Sequence, residues 1–76
     1  MKIDHVLDAK GLACPMPIVK ISQEFKKLKV GQVLKIEATD KAFLFDVAAW
    51  CKKMDQKILS THEQGDMFEV LIQKTK

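Results

Sequence analysis

Cys14 stands in the run Gly11-Leu12-Ala13-Cys14-Pro15-Met16-Pro17, where a short apolar strand gives way to a helical stretch. A thiol just ahead of a helix sees unpaired backbone N–H groups and the positive end of the helix dipole, and both favour thiolate over thiol. Pro15 and Pro17 carry no N–H, so the local donors expected are the amides of Met16 and Ile18. A Cys-x-x-Cys redox pair would place its second thiol at position 17, where this chain has proline. A lone thiolate that cannot close a local disulfide suits carrying a sulfur atom better than shuttling electrons.

The other reactive side chains are placed less suggestively. Cys51 falls on the apolar stripe of a second helical stretch, where core packing is the expected role, although a 14–51 bridge is compatible with the sequence. His5 and His62 have no metal-ligand spacing with each other or with either cysteine, so no metal site is expected. The carboxylates are scattered, with no pair set for acid–base work.

Seventy-six residues are expected to form one domain over 1–76, and the 47% hydrophobic content supplies enough apolar surface for a compact core. Apolar runs fall short of the roughly 20 residues a membrane span needs, and the start lacks a signal-peptide apolar region. The chain is therefore read as soluble and cytoplasmic. Two cysteines are too few for a secreted disulfide scaffold. The formal charge of +3 comes from lysine alone. The lack of arginine argues against sequence-specific nucleic-acid recognition, whereas lysine still permits electrostatic docking to an acidic protein. Lys26, Lys27, Lys52 and Lys53 cluster towards the C-terminal parts of the two helical stretches, as candidate partner contacts or as a solvated face.

The elements that position Cys14 follow from apolar periodicity. Ile3–Leu7 alternates and reads as a strand. Pro15–Leu28 reads as a helix with Ile18, Ile21, Phe25 and Leu28 inward and its prolines at the first and third positions, stopped at Gly31, which suits a positive φ. Val33–Thr39 is a strand burying Leu34, Ile36 and Ala38. Thr39 or Asp40 is placed to cap a helix whose stripe is Leu44, Val47, Ala48, Cys51 and Met54. Lys57–Glu63, a Gln64-Gly65-Asp66 turn and a strand through Phe68, Val70 and Ile72 complete the chain. Strand, helix, strand, helix, strand, strand predicts a two-layer α/β (α+β) sandwich: a four-stranded mixed sheet with both helices on one face.

With Gly11-Leu12-Ala13-Cys14-Pro15-Met16-Pro17, the Leu7-Asp8 opening, Gly31, Ala38-Thr39-Asp40 and Trp50-Cys51, the chain resembles the TusA/SirA family of small sulfur carriers nearly end to end. The resemblance implies a sulfurtransferase, working as a stoichiometric carrier or with turnover. Its motif cysteine, Cys14, takes sulfane sulfur as a persulfide, while Gly11, Pro15, Met16 and Pro17 shape the motif. It also implies Asp40 as a partner contact, a monomer, no cofactor, no metal and no membrane. The implied partners are a cysteine desulfurase or rhodanese-type donor and a downstream thiol acceptor protein. The family's tRNA-thiolation carriers have glutamate between the prolines and arginine before the cysteine, where this chain has Met16 and Ala13. That more apolar surface would select a different donor or acceptor, so tRNA thiolation, cofactor synthesis and sulfur oxidation all stay open as the end use. A binding or regulatory module with Cys14 as a structural cap is the second reading, and an RNA-binding domain the third.

Overall fold

The structure, a computed structural model, describes residues 3–13 and 15–76. Its elements are β1 (His5–Ala9), α1 (Met16–Phe25), β2 (Val33–Ala38), α2 (Phe43–Met54), β3 (Lys57–Gln64) and β4 (Met67–Gln73). The sheet order is β1-β2-β4-β3, with β1 parallel to β2 and the other neighbours antiparallel. This is the mixed four-stranded sheet expected. Leu34, Ile36 and Ala38 of β2 and Phe68, Val70 and Ile72 of β4 share one buried cluster with Ile21 and Phe25 of α1 and Phe43, Val47 and Cys51 of α2. Both helices therefore cover the same face of the sheet. Burying each large apolar side chain in that layer contributes about 1.5–3 kcal/mol, which outweighs the weak local propensities of such short strands.

Strands β2 and β4 keep their predicted faces, but β1 lies two residues later than the expected Ile3–Leu7. Its register against β2 runs from His5 opposite Leu34 to Ala9 opposite Ala38, which brings Leu7 and Ala9 to the core. Asp4 ends the pairing instead of continuing it: its backbone N–H donates to the Val33 carbonyl and its carboxylate accepts from the Val33 N–H at 2.9 Å. The second strand stops at Ala38, one residue short of the expected Thr39, and β3 runs one residue further, to Gln64. A two-residue loop, Gly65-Asp66, joins β3 to β4, with Gly65 at φ +60°.

Helix α1 is shorter than the expected Pro15–Leu28. Pro15 is its N-cap and Pro17 its second residue, so the prolines stand one place earlier than the sequence suggested. After Phe25 the chain tightens, with Lys27 N–H donating to Glu24 O and Leu28 N–H to Phe25 O, and Leu28 still reaches the core. Lys74 Nζ, from beyond β4, donates to the carbonyls of both Phe25 and Leu28 at 2.8 Å and satisfies two groups the helix end would otherwise leave unpaired. Gly31 follows at φ +96°, as predicted.

Helix α2 departs from expectation in two ways. Neither Thr39 nor Asp40 caps it with a side chain; Ala42 is the N-cap, and Asp40 contributes only its carbonyl to Phe43 N–H at 3.0 Å. The buried stripe is Phe43, Val47 and Cys51 with Leu44 half-buried, while Ala48 and Met54 are exposed. Phe43, at 0% exposure, rather than Leu44 is the deepest residue of the first turn. Asp55 closes the helix in the left-handed region, at φ +59°. None of the helices among the described residues is long and apolar enough to cross a membrane.

Candidate functional site

Cys14 and any 14–51 bridge lie outside the described residues, so the site is built from the segments on either side. Before it, β1 ends at Ala9 and the chain turns sharply: Lys10 N–H donates to the Asp8 carboxylate at 3.0 Å and Leu12 N–H to the Ala9 carbonyl at 3.3 Å. Gly11 takes φ +80°, a conformation that costs an L-residue with a side chain about 1–2 kcal/mol. Its N–H donates to Thr39 Oγ1 at 2.9 Å, which pins the loop to the end of β2. After position 14, Pro15 starts the helix and Pro17 is buried against the core.

The helix start does not present the donors expected of it. Met16 N–H bonds the Ala13 carbonyl at 2.8 Å, and both Ile18 and Val19 N–H bond the Pro15 carbonyl at 3.1 Å. Pro15 and Pro17 have none to offer. The backbone amides of Met16 and Ile18 are thus engaged within the turn.

Cys51 is in the opposite condition. It is 3% exposed, sits on the inner face of α2, and burial pushes its thiol up to about 11. A neutral, enclosed thiol is a packing residue, as predicted from its stripe.

The remaining candidates are dispersed over two ends of the molecule. Met16, within the motif, is exposed. Asp40 lies at the same end, immediately after Thr39; its Oδ2 is buried with no hydrogen-bond partner. Lys52 and Lys53 occupy the last turn of α2, whereas Lys26 and Lys27 fall beyond the end of α1, and all four are exposed. Among these four, Lys27 pairs with Glu24 at 3.5 Å. Trp50 is half-buried in the seam between the helices, its ring edge-on to Phe25 with centroids 5.1 Å apart. His5 and His62 stay apart, on the two edge strands, and no cluster of three metal-ligating side chains occurs among the described residues.

Sequence reasoning missed Thr39 as the anchor of the motif loop, treating it as a helix cap. No local pattern could reveal a bond spanning 28 residues. It also passed over Phe45, which is 85% exposed on the first turn of α2, and whose exposure follows once Phe43 sets the phase of that helix.

The family profile described as Sulfurtransferase TusA matches residues 5–74. YrkF of Bacillus subtilis is 49% identical over 97% of this chain, but the chain spans only 40% of that protein's length. YrkI of the same organism is 47% identical, with 97% of this chain and 99% of that protein covered. Sulfur carrier protein TusA of Allochromatium vinosum is 36% identical, with 95% of each covered. The crystal structure of a SirA-like protein from Desulfitobacterium hafniense superposes with a TM-score of 0.83 at 19% identity, covering 96% of this chain and 100% of that one, and so shares the fold.

Proposed function

Because the chain belongs to the TusA family of sulfur carriers, we propose that it accepts sulfane sulfur as a persulfide on Cys14 and relays it to an acceptor protein. The observation that carries this reading is the contrast between the two cysteines. Cys51 is sealed in the core with its thiol pushed up to about 11, which leaves the motif cysteine to do the chemistry. Around it the chain is fixed at Gly11 by Thr39 and at Pro15–Pro17 by the helix start.

The transfer needs no electron source. The Cys14 thiolate attacks the outer sulfur of a donor persulfide, a new S–S bond forms as the donor's S–S bond breaks, and the donor's inner sulfur leaves as thiolate. The outer sulfur keeps its proton, giving Cys14–S–SH. An acceptor thiolate repeats the exchange in the next step. A cysteine desulfurase or rhodanese-type protein is the fitting donor, since each offers a protein persulfide. A carrier working as a monomer in the cytoplasm, with Asp40, Lys26, Lys27, Lys52 and Lys53 as partner contacts, completes the reading. The absence of a second thiol at position 17 keeps the loaded state from discharging into a local disulfide.

Mass spectrometry after incubation with a desulfurase and cysteine tests it. Wild type and Cys51→Ala should gain one sulfur atom, and Cys14→Ser should gain none. Loading of Cys14→Ser equal to wild type would overturn the assignment.

A further inference from the structure

A cavity of about 770 Å³ opens where the end of β2, the start of α2 and the β3–β4 loop meet. Its size lies within the range of about 300–1,000 Å³ typical of small-molecule sites. Phe68 forms an apolar floor, and Glu63 stands opposite Phe68 across the β3–β4 pair. Leu44 and Lys41 come from α2 and the turn before it, Asp66 from the hairpin loop, and Thr39 from the end of β2.

Two features distinguish this cavity from an ordinary solvated cleft. Lys41, Glu63 and Asp66 surround one space with charges of both signs, yet none of the three is in an ion pair among the described residues. Thr39, which lines it, is also the residue that holds Gly11 and so the motif loop. The cavity therefore shares Thr39 with the anchor of the motif loop.

We propose that this cavity is a subsite for a zwitterionic aminothiol, a low-molecular-weight thiol of which cysteine is the smallest example. Its carboxylate meets Lys41, its ammonium meets Glu63 or Asp66, and its methylene lies over Phe68. Resting on the persulfide reading, the bound thiol is an acceptor. Its thiolate attacks the outer sulfur of Cys14–S–SH, one S–S bond forms as another breaks, and Cys14 leaves as thiolate while the small molecule departs as a persulfide. The carrier would then deliver sulfur to a soluble thiol as well as to a protein.

Two measurements test the subsite separately from the carrier chemistry. In the first, the unloaded protein is titrated with S-methyl-L-cysteine, which cannot accept sulfur, and amide shifts are followed by NMR. Shifts should concentrate at Thr39, Lys41, Gly65 and Asp66. They should weaken in Lys41→Gln and in the Glu63→Gln/Asp66→Asn pair. In the second, the loaded protein is mixed with cysteine, N-acetylcysteine, cysteamine or 2-mercaptoethanol, and persulfide loss is compared per unit thiolate. Cysteine should react fastest, and removing either charge should slow transfer about three- to fivefold, the effect of one partly exposed ion pair. Lys41→Gln should lower the cysteine rate to that of cysteamine and leave 2-mercaptoethanol unchanged. Equal rates for all four thiols, or shifts absent from the cavity, would overturn the subsite. Shifts at the cavity in a protein that never loads sulfur would instead overturn the carrier reading and leave the subsite standing.

Discussion

Thr39 Oγ1 accepts the Gly11 N–H at 2.9 Å across a separation of 28 residues, joining the loop before the motif cysteine to the strand beside it. The contact is exposed, so water can replace much of its energy, and its value is in position more than in stability. Thr39→Val should change the unfolding free energy by less than about 1 kcal/mol while slowing sulfur loading severalfold. Thr39→Ser, which keeps the hydroxyl, should restore the rate. A Val variant that loads as fast as wild type would show that the loop needs no such anchor.

Cys51 sets a pH dependence whose direction follows from its burial. Its folded pKa is raised from 9.0 to about 11 by desolvation. The contribution to stability is complete below the unfolded value and is lost as pH rises through the folded one. Denaturant midpoints should therefore fall between pH 9 and 11, and Cys51→Ala should show a flatter profile over that window, starting about 1 kcal/mol lower from the small cavity left. In the same vein, iodoacetamide at pH 8 should modify Cys51 only after denaturant is added.

Gly31 tests backbone strain without steric clash. A Cβ built there would meet nothing within 4 Å, but φ is +96°. Gly31→Ala should destabilise by about 1–2 kcal/mol, read as a shifted urea midpoint with an unchanged slope. A neutral substitution would mean that the turn relaxes to a negative φ despite the Gly31 N–H bond to the Lys74 carbonyl at 2.7 Å.

Donor docking should be steered by the four exposed lysines near the helix ends. Exposed charges further apart than about 8 Å are screened at physiological ionic strength. Association with an acidic donor should thus slow as salt rises, with dissociation less affected. Replacing Lys26, Lys27, Lys52 and Lys53 by glutamine should reproduce the high-salt rate at low salt. Stopped-flow loading by the quadruple variant at the wild-type rate would leave recognition to the motif end of the molecule.

The four-stranded sheet was legible because Leu34, Ile36 and Ala38, and again Phe68, Val70 and Ile72, alternate without interruption, and one buried face enforces that pattern; the order of its strands rests on long-range pairing that no local pattern carries. Cys51 was legible for a similar reason, lying one turn beyond Val47. The phase of α2 was not. Leu44 and Phe43 are adjacent and both apolar, and only three-dimensional packing selects Phe43 as the deeper residue. The helix caps were missed because Thr39 and Asp40 have suitable side chains, but Thr39 is engaged by Gly11. The first turn of α1 was misjudged in its donors, since the bond from Met16 to Ala13 depends on the turn that two prolines impose.

The placement of β4 between β2 and β3 separates the local pairing of the sheet from its long-range one. The β3–β4 hairpin closes over two residues and is made of local contacts, whose loop closure costs little entropy. The parallel pairing of β1 with β2 depends on the whole α1 crossover, and among the described residues β1 is an edge strand. The Gly11 anchor belongs to that long-range pairing, because its acceptor is at the end of β2 and its donor follows β1. A chain that has released β1 would lose the Gly11 anchor while keeping its hairpin and its second helix. Hydrogen exchange should find the β1 amides among the earliest to open, which would make readiness for transfer a report on the least stable part of the fold.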